Sequence, residues 1–251
     1  RFIAGLNQRR LFTLAELHCQ KRLADQGLDP AERADLTIAL CRKYAEHELN
    51  PPRDGRAALW EEAATTVADF RRHAPRDSRL VLVEMELALT TLARGELARQ
   101  EAEVGAPGAP SLAEAREQLD AAIDQLREIG EEVETRLRTV GRGGAQSLSE
   151  SELLSLQRNV RYQTARGLRN QALCYPAGSA ERSDSLIQAL EMLAPIAAAD
   201  LNDALVWDAR LDTVTCLRLR GQIDEAGRRL EALESARPPS KKPAASPRKC
   251  S

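Results

Sequence analysis

Aromatic residues are scarce in this chain: 3% of its 251 residues, with two tryptophans, three tyrosines and three phenylalanines. A β-sandwich needs aromatic and β-branched side chains for its two packed faces, so this composition argues against one. Long apolar runs are also missing, and no stretch approaches the roughly 20 residues of a membrane-spanning helix. Cysteines are few, odd in number and far apart, at 19, 41, 174, 216 and 250, which leaves neither a disulfide framework nor a metal-ligand pair. The three histidines do no better. His18 and Cys19 are adjacent in a helical pattern and point about 100° apart, Cys41 and His47 are off one face, and His73 reads as a residue at a helix end. Glycines 141, 143 and 144 follow no strand and precede no Lys-Ser or Lys-Thr, so they read as an interhelical loop and not as a phosphate cradle. Carboxylate pairs such as Glu61-Glu62 and Glu131-Glu132 sit on exposed helix faces, with nothing to mark an acid–base pair. The expectation is no catalytic residue, no cofactor, no metal and no enzyme.

Alanine, leucine and charge fill the space that the aromatics leave, with 43% hydrophobic and 29% charged residues. The formal charge of −2 is unevenly spread. Arg237, Lys241, Lys242, Arg248 and Lys249 place five positive charges and no negative one in the last fifteen residues, leaving the body about −7. An acidic body argues against nucleic acid as partner. The excess of arginine over lysine reads as the coding bias of a GC-rich genome. The tail's composition, polar and rich in proline, predicts a disordered basic tail or linker over 237–251.

Helix signals recur along the chain and strand alternation does not. Asp29-Pro30-Ala31-Glu32 supplies an N-cap, a proline at the first helical position and an acid. Ser111 with Glu114, and Ser147 with Glu150, have capping-box spacing. Breakers at 50–52, 105–110, 141–144 and 176–178 divide the chain. Helices are expected near 11–26, 31–48, 56–73, 78–103, 111–139, 149–175, 181–194, 202–219 and 222–236. Two of these, 78–103 and 111–139, run to about 40 Å each. Such lengths predict that they protrude from a regular array or pair as a small antiparallel coiled coil. Trp60 and Trp207 fall on apolar faces and are expected in the core. Arg161, Arg166 and Arg169 share a helix with Ala165 and Gly167; they read either as partners of glutamates on a neighbouring helix or as an anion site.

One spacing occurs twice: Ala63, Val67, Phe70, Pro75 and Ala226, Leu230, Leu233, Pro238. Offsets of four and seven place three side chains on one helix face, and the proline marks a stop. In this register the chain resembles the tetratricopeptide repeats, helical hairpins of thirty-four residues. Leu40, Cys41 and Tyr44 match the first helix of one unit, with an insertion of ten residues before Ala63. Trp207 opens the last unit, Leu217 stands for its aromatic and Gly221 falls in its turn. Phe2, Ile3 and Leu6 match the end of a first helix, with Phe12, Ala15 and Cys19 on the second. The resemblance covers about 1–75 and 200–238. Arg94-Gly95-Glu96-Leu97 echoes Arg220-Gly221-Gln222-Ile223 as though 81–95 opened another unit, and Ala189, Leu193 and Ile196 keep a face that Pro195 interrupts.

The resemblance implies an all-α, tetratricopeptide-like solenoid over 1–236, irregular in the middle, within a larger bacterial protein. Arg1 in place of a methionine suggests a fragment or processed product. The first helix of each unit would line a groove, formed by Asp35, Ile38, Arg42, Ala45 and Glu46 in one unit and by Asp208, Leu211, Thr215, Arg218 and Leu219 in the last. That mixture suits a peptide or helical partner. The lysines and asparagines with which some members clamp an acidic chaperone tail are missing. The implied function is a protein-interaction or assembly scaffold; the alternative is a regulatory or sensor module controlling an attached output domain.

Overall fold

The computed structural model describes residues 12–25, 27–47, 53–105, 107–140, 148–199 and 203–236. Within them the chain forms nine α-helices and no strand: α1 (Phe12–Leu23), α2 (Pro30–His47), α3 (Arg53–His73), α4 (Leu80–Val104), α5 (Leu112–Arg138), α6 (Glu150–Leu173), α7 (Ala180–Ala197), α8 (Ala204–Leu219) and α9 (Ile223–Ala236). The segments expected at 1–11, 141–147 and 237–251 lie outside the described residues.

Local chemistry sets most of the helix ends. The Asp29 carboxylate accepts from the backbone N–H of Ala31 and Glu32 at the start of α2. Ser111 and Ser149 each form a complete capping box, with Glu114 and Glu152. The second box is thus Ser149-Glu152 and not Ser147-Glu150, with Ser149 in extended backbone at the N-cap of α6. Gly105, at φ 66°, closes α4 in the left-handed conformation, and Gly221, at φ 78°, makes the turn between α8 and α9.

Each helix packs on the next in sequence, and α2, α4, α6 and α8 also pack one on another in that order. Along the other side of this even-numbered row the odd-numbered helices stand apart. Clefts open between α1 and α3 over α2 (about 310 Å³), between α3 and α5 over α4 (about 630 Å³), and between α5 and α7 over α6 (about 310 Å³).

The long pair α4–α5 makes the most extensive helix contact. Its α5 partner buries Ala115, Leu119, Ala122, Leu126, Ile129 and Val133, a four-three alternation that forms one continuous seam. By contrast, α4 buries residues on every side, since it touches α2, α3, α5 and α6. Gly95 is therefore no turn. It lies inside α4, buried, where an added Cβ would come within 2.8 Å of Leu119 Cγ. The same is true of Gly167 in α6, whose Cβ would meet Ile123 Cγ1 at 2.9 Å. The likeness of Arg94-Gly95 to Arg220-Gly221 conceals two different uses of glycine, close helix approach and left-handed turn.

Other expectations are corrected as well. Pro195 does not interrupt α7, which runs on to Ala197, because a proline in the last turn forfeits only the bond to the Glu191 carbonyl. The insertion before Ala63 is mostly helix: α3 begins at Arg53, ten residues ahead of Ala63, whereas α9 begins at Ile223, three ahead of Ala226. Neither tryptophan is in the core. Trp60 and Trp207 are half-buried, and Arg94 and Arg210 stack on their rings at 4.7 and 5.5 Å.

Candidate functional site

Three arginine–carboxylate bridges cross the even-numbered row, one at each joint. Between α2 and α4, Arg42 Nε donates to Glu86 at 2.9 Å. Between α4 and α6, Arg166 closes on Glu96 with both arms, Nε to Oε1 at 2.6 Å. Asn170 joins them, donating to Glu96 at 2.7 Å and accepting from Arg99 Nε at 3.1 Å. Between α6 and α8, Arg169 donates to Asp212. The buried Glu86, Glu96, Arg99 and Asn170 side chains thus each meet a charge or an amide across a joint, which is what allows these polar groups to pack there.

Helix α6 carries four arginines, more basic residues than any other helix of the row. Arg158 reaches Asp203 at 3.3 Å, Arg161 reaches Glu134 of α5 at 3.3 Å, and Arg166 and Arg169 face opposite neighbours. Of the two readings of this arginine group, the structure selects the first. Arg161, Arg166 and Arg169 answer carboxylates on three different helices and form no common anion site.

The two halves of the expected groove stand at opposite ends of the row, with α4 and α6 between them. Asp35 is bridged by Arg79 at 3.2 Å, and Arg42 by Glu86. Ile38 is half-buried against the α2–α3–α4 core, and Leu219 against the α6–α7–α8 core. The side chains of Ala45 and Glu46 lie outside the described residues. On α8, Asp208, Leu211 and Arg218 are exposed, Leu211 by 48%, and the Thr215 hydroxyl donates to the Leu211 carbonyl.

Sequence reasoning missed Tyr162, Glu86, Glu96 and Asp212. Tyr162 lies half-buried on α6, packed against the α6–α7–α8 core. Burial and the charges of Asp212 and Asp208 push its phenol up to about 12, with Arg166 pulling the other way. The one available signal was arginine on α6 at three- to five-residue spacing, which calls for acids on its neighbours without naming them.

Of the cysteines, Cys19, Cys41, Cys174 and Cys216 are buried and free. Burial holds Cys41 and Cys216 up at about 12 and Cys174 at about 11. The four act as small apolar residues. Cys250 lies outside the described residues. His73 ends α3 with Nδ1 2.7 Å from the Asp69 carbonyl. Among the described residues no group of three metal-ligating side chains comes together, and no helix is long and apolar enough to cross a membrane.

Compared with protein-family models, curated proteins and solved structures, the chain matches none.

Proposed function

We propose that this chain is a tetratricopeptide-like scaffold that holds a protein or peptide partner along the face of α2, α4, α6 and α8. The observation that carries this reading is the asymmetry between the two sets of helices. Even-numbered helices touch in sequence while clefts stand open between odd-numbered ones, as expected where stacked hairpins curve with the even-numbered row inside. A stacked array has an extended inner surface, and mixed apolar and charged side chains suit it to a peptide or helix. Support also comes from the buried Ala63, Val67 and Phe70, one of the two faces on which the repeat resemblance rests; on the other, Ala226 is buried and Leu230 is 42% exposed. No catalytic step is part of this reading.

Photo-crosslinking tests it. A photoreactive residue at Leu211, on the even-numbered row, should capture a defined partner from extracts of the producing cell, and the same residue at Glu128, on the odd-numbered side, should not. Equal capture from both positions, or capture from Glu128 alone, would overturn it.

A further inference from the structure

The cleft between α5 and α7 differs from the other two in the charges it leaves unmatched. Leu126 and Val160 form an apolar floor, with Met192 and Pro195 on the α7 wall. Its guanidiniums are taken: Arg161 by Glu134 at 3.3 Å, and Arg127 by Gln188 of α7, to which it donates at 3.2 Å. Two of its carboxylates are not. Among the described residues no basic side chain bridges Glu131 on the α5 wall or Glu191 on the α7 wall. In the α1–α3 cleft, by contrast, Glu62 accepts from Tyr44 and Asp69 holds Arg72. In the α3–α5 cleft Glu128 and Arg76, both unbridged among the described residues, balance one another in charge.

Two backbone features of the same cleft point to an occupant. Pro195 has no N–H, so the carbonyl of Glu191, one turn earlier in α7, is left without its helical donor. Gly130 lies in the interior of α5, where glycine is a poor helix former, and packing does not demand it there. An added Cβ would meet Val160 Cγ1 at an ordinary 3.5 Å, against 2.8 and 2.9 Å for the nearest atoms at Gly95 and Gly167. What the missing side chain leaves is room in the cleft.

We propose that this cleft binds a small amphipathic amine, a primary ammonium carried on an alkyl or aryl body. The three N–H groups of the ammonium match three acceptors in number: the carboxylates of Glu131 and Glu191 and the freed Glu191 carbonyl. The body lies on Leu126, Val160, Met192 and Pro195, and about 310 Å³ is the lower end of the range for small-molecule sites. The cleft opens between odd-numbered helices, away from the row proposed to hold a protein partner, so the assignment does not depend on the scaffold reading.

Titration calorimetry on the full chain with hexylamine, cyclohexylmethylamine and 2-phenylethylamine tests it, each beside the alcohol of the same carbon skeleton. At least one amine should bind saturably, at one site per chain and about tenfold or more tightly than its alcohol. Glu131→Gln and Glu191→Gln, both at exposed positions, should each weaken that amine about fivefold, the scale of one exposed ion pair. Gly130→Ala should raise the thermal midpoint by about 2 °C through helix propensity and weaken binding about tenfold by filling the cleft. A midpoint that rises with affinity unchanged places the amine elsewhere and overturns the assignment. Binding no tighter than that of the alcohol, or indifferent to both glutamine variants, overturns it too. Absence of saturable binding by all three amines does the same and leaves the scaffold reading untouched.

Discussion

Arg166 and Glu96, 70 residues apart in sequence, grip one another with two hydrogen bonds across the α4–α6 joint. Their environments differ: the Glu96 side chain is 10% exposed and that of Arg166 38%. Removing the arginine therefore does more harm than the modest value of an exposed bridge suggests, since the carboxylate stays behind without its charge partner. Arg166→Met should cost about 2–3 kcal/mol. Arg166→Met combined with Glu96→Leu should recover part of that loss. Urea denaturation of the four proteins of the cycle gives the coupling, and additive losses would refute it.

Glycine-to-alanine substitutions should have opposite signs at helical positions of this chain. At Gly227, in the exposed face of α9, an added Cβ meets nothing within 4 Å, so Gly227→Ala should stabilise by about 0.5–1 kcal/mol through helix propensity. At Gly95 the Cβ meets Leu119 Cγ at 2.8 Å and the Leu119 backbone nitrogen at 3.1 Å. Gly95→Ala should destabilise by about 1–3 kcal/mol in spite of the same propensity gain. Thermal midpoints of the two variants decide it; a shift of both in one direction contradicts the close approach of α4 and α5.

Alkaline pH should unfold the protein partly through its thiols. The Cys41 pKa is raised from 9.0 to about 12, first by burial and then by Glu86, and Cys216 is raised to about 12. The folded state keeps these protons while the unfolded chain loses them above its ordinary thiol pKa, so stability is whole below pH 9 and falls as pH rises toward 12. Cys41→Ala should flatten that fall in a plot of denaturation midpoint against pH. An unchanged slope would assign the loss to other groups, Tyr44 and Tyr162 among them, both raised to about 12.

The same burial sets thiol chemistry at neutral pH. Cys19, Cys41, Cys174 and Cys216 should resist a thiol-specific reagent in the native protein and react together on unfolding. Rapid labelling of any of them under native conditions, located by peptide mapping, would show that its packing opens.

Helix positions were legible because the signals that start and stop helices act within a few residues. Asp29, Ser111 and Gly221 each do locally what their residue types allow. What was not legible depended on partners far away in sequence. The four-residue likeness around Gly95 and Gly221 could not reveal that Leu119 lies against one of them and open space beside the other. The tryptophans were misplaced because an apolar helix face does not tell whether a core or an arginine covers it. In the candidate site, Asp208 and Leu211 were found by register with the repeat pattern. Tyr162 and Glu96 lie on helices that had lost that register.

The bridges across the even-numbered row alternate in sign: arginine on α2, glutamate on α4, arginines on α6, aspartate on α8. In a uniform array any hairpin can be duplicated or deleted, since each meets identical neighbours. Here a single extra hairpin copied from α6–α7 would set arginines against arginines, and deletion of one would bring like charges together at the new joint. Two consecutive hairpins, inserted or removed together, keep the signs of these three bridges matched, while the Asp35–Arg79 bridge at the first joint runs the other way.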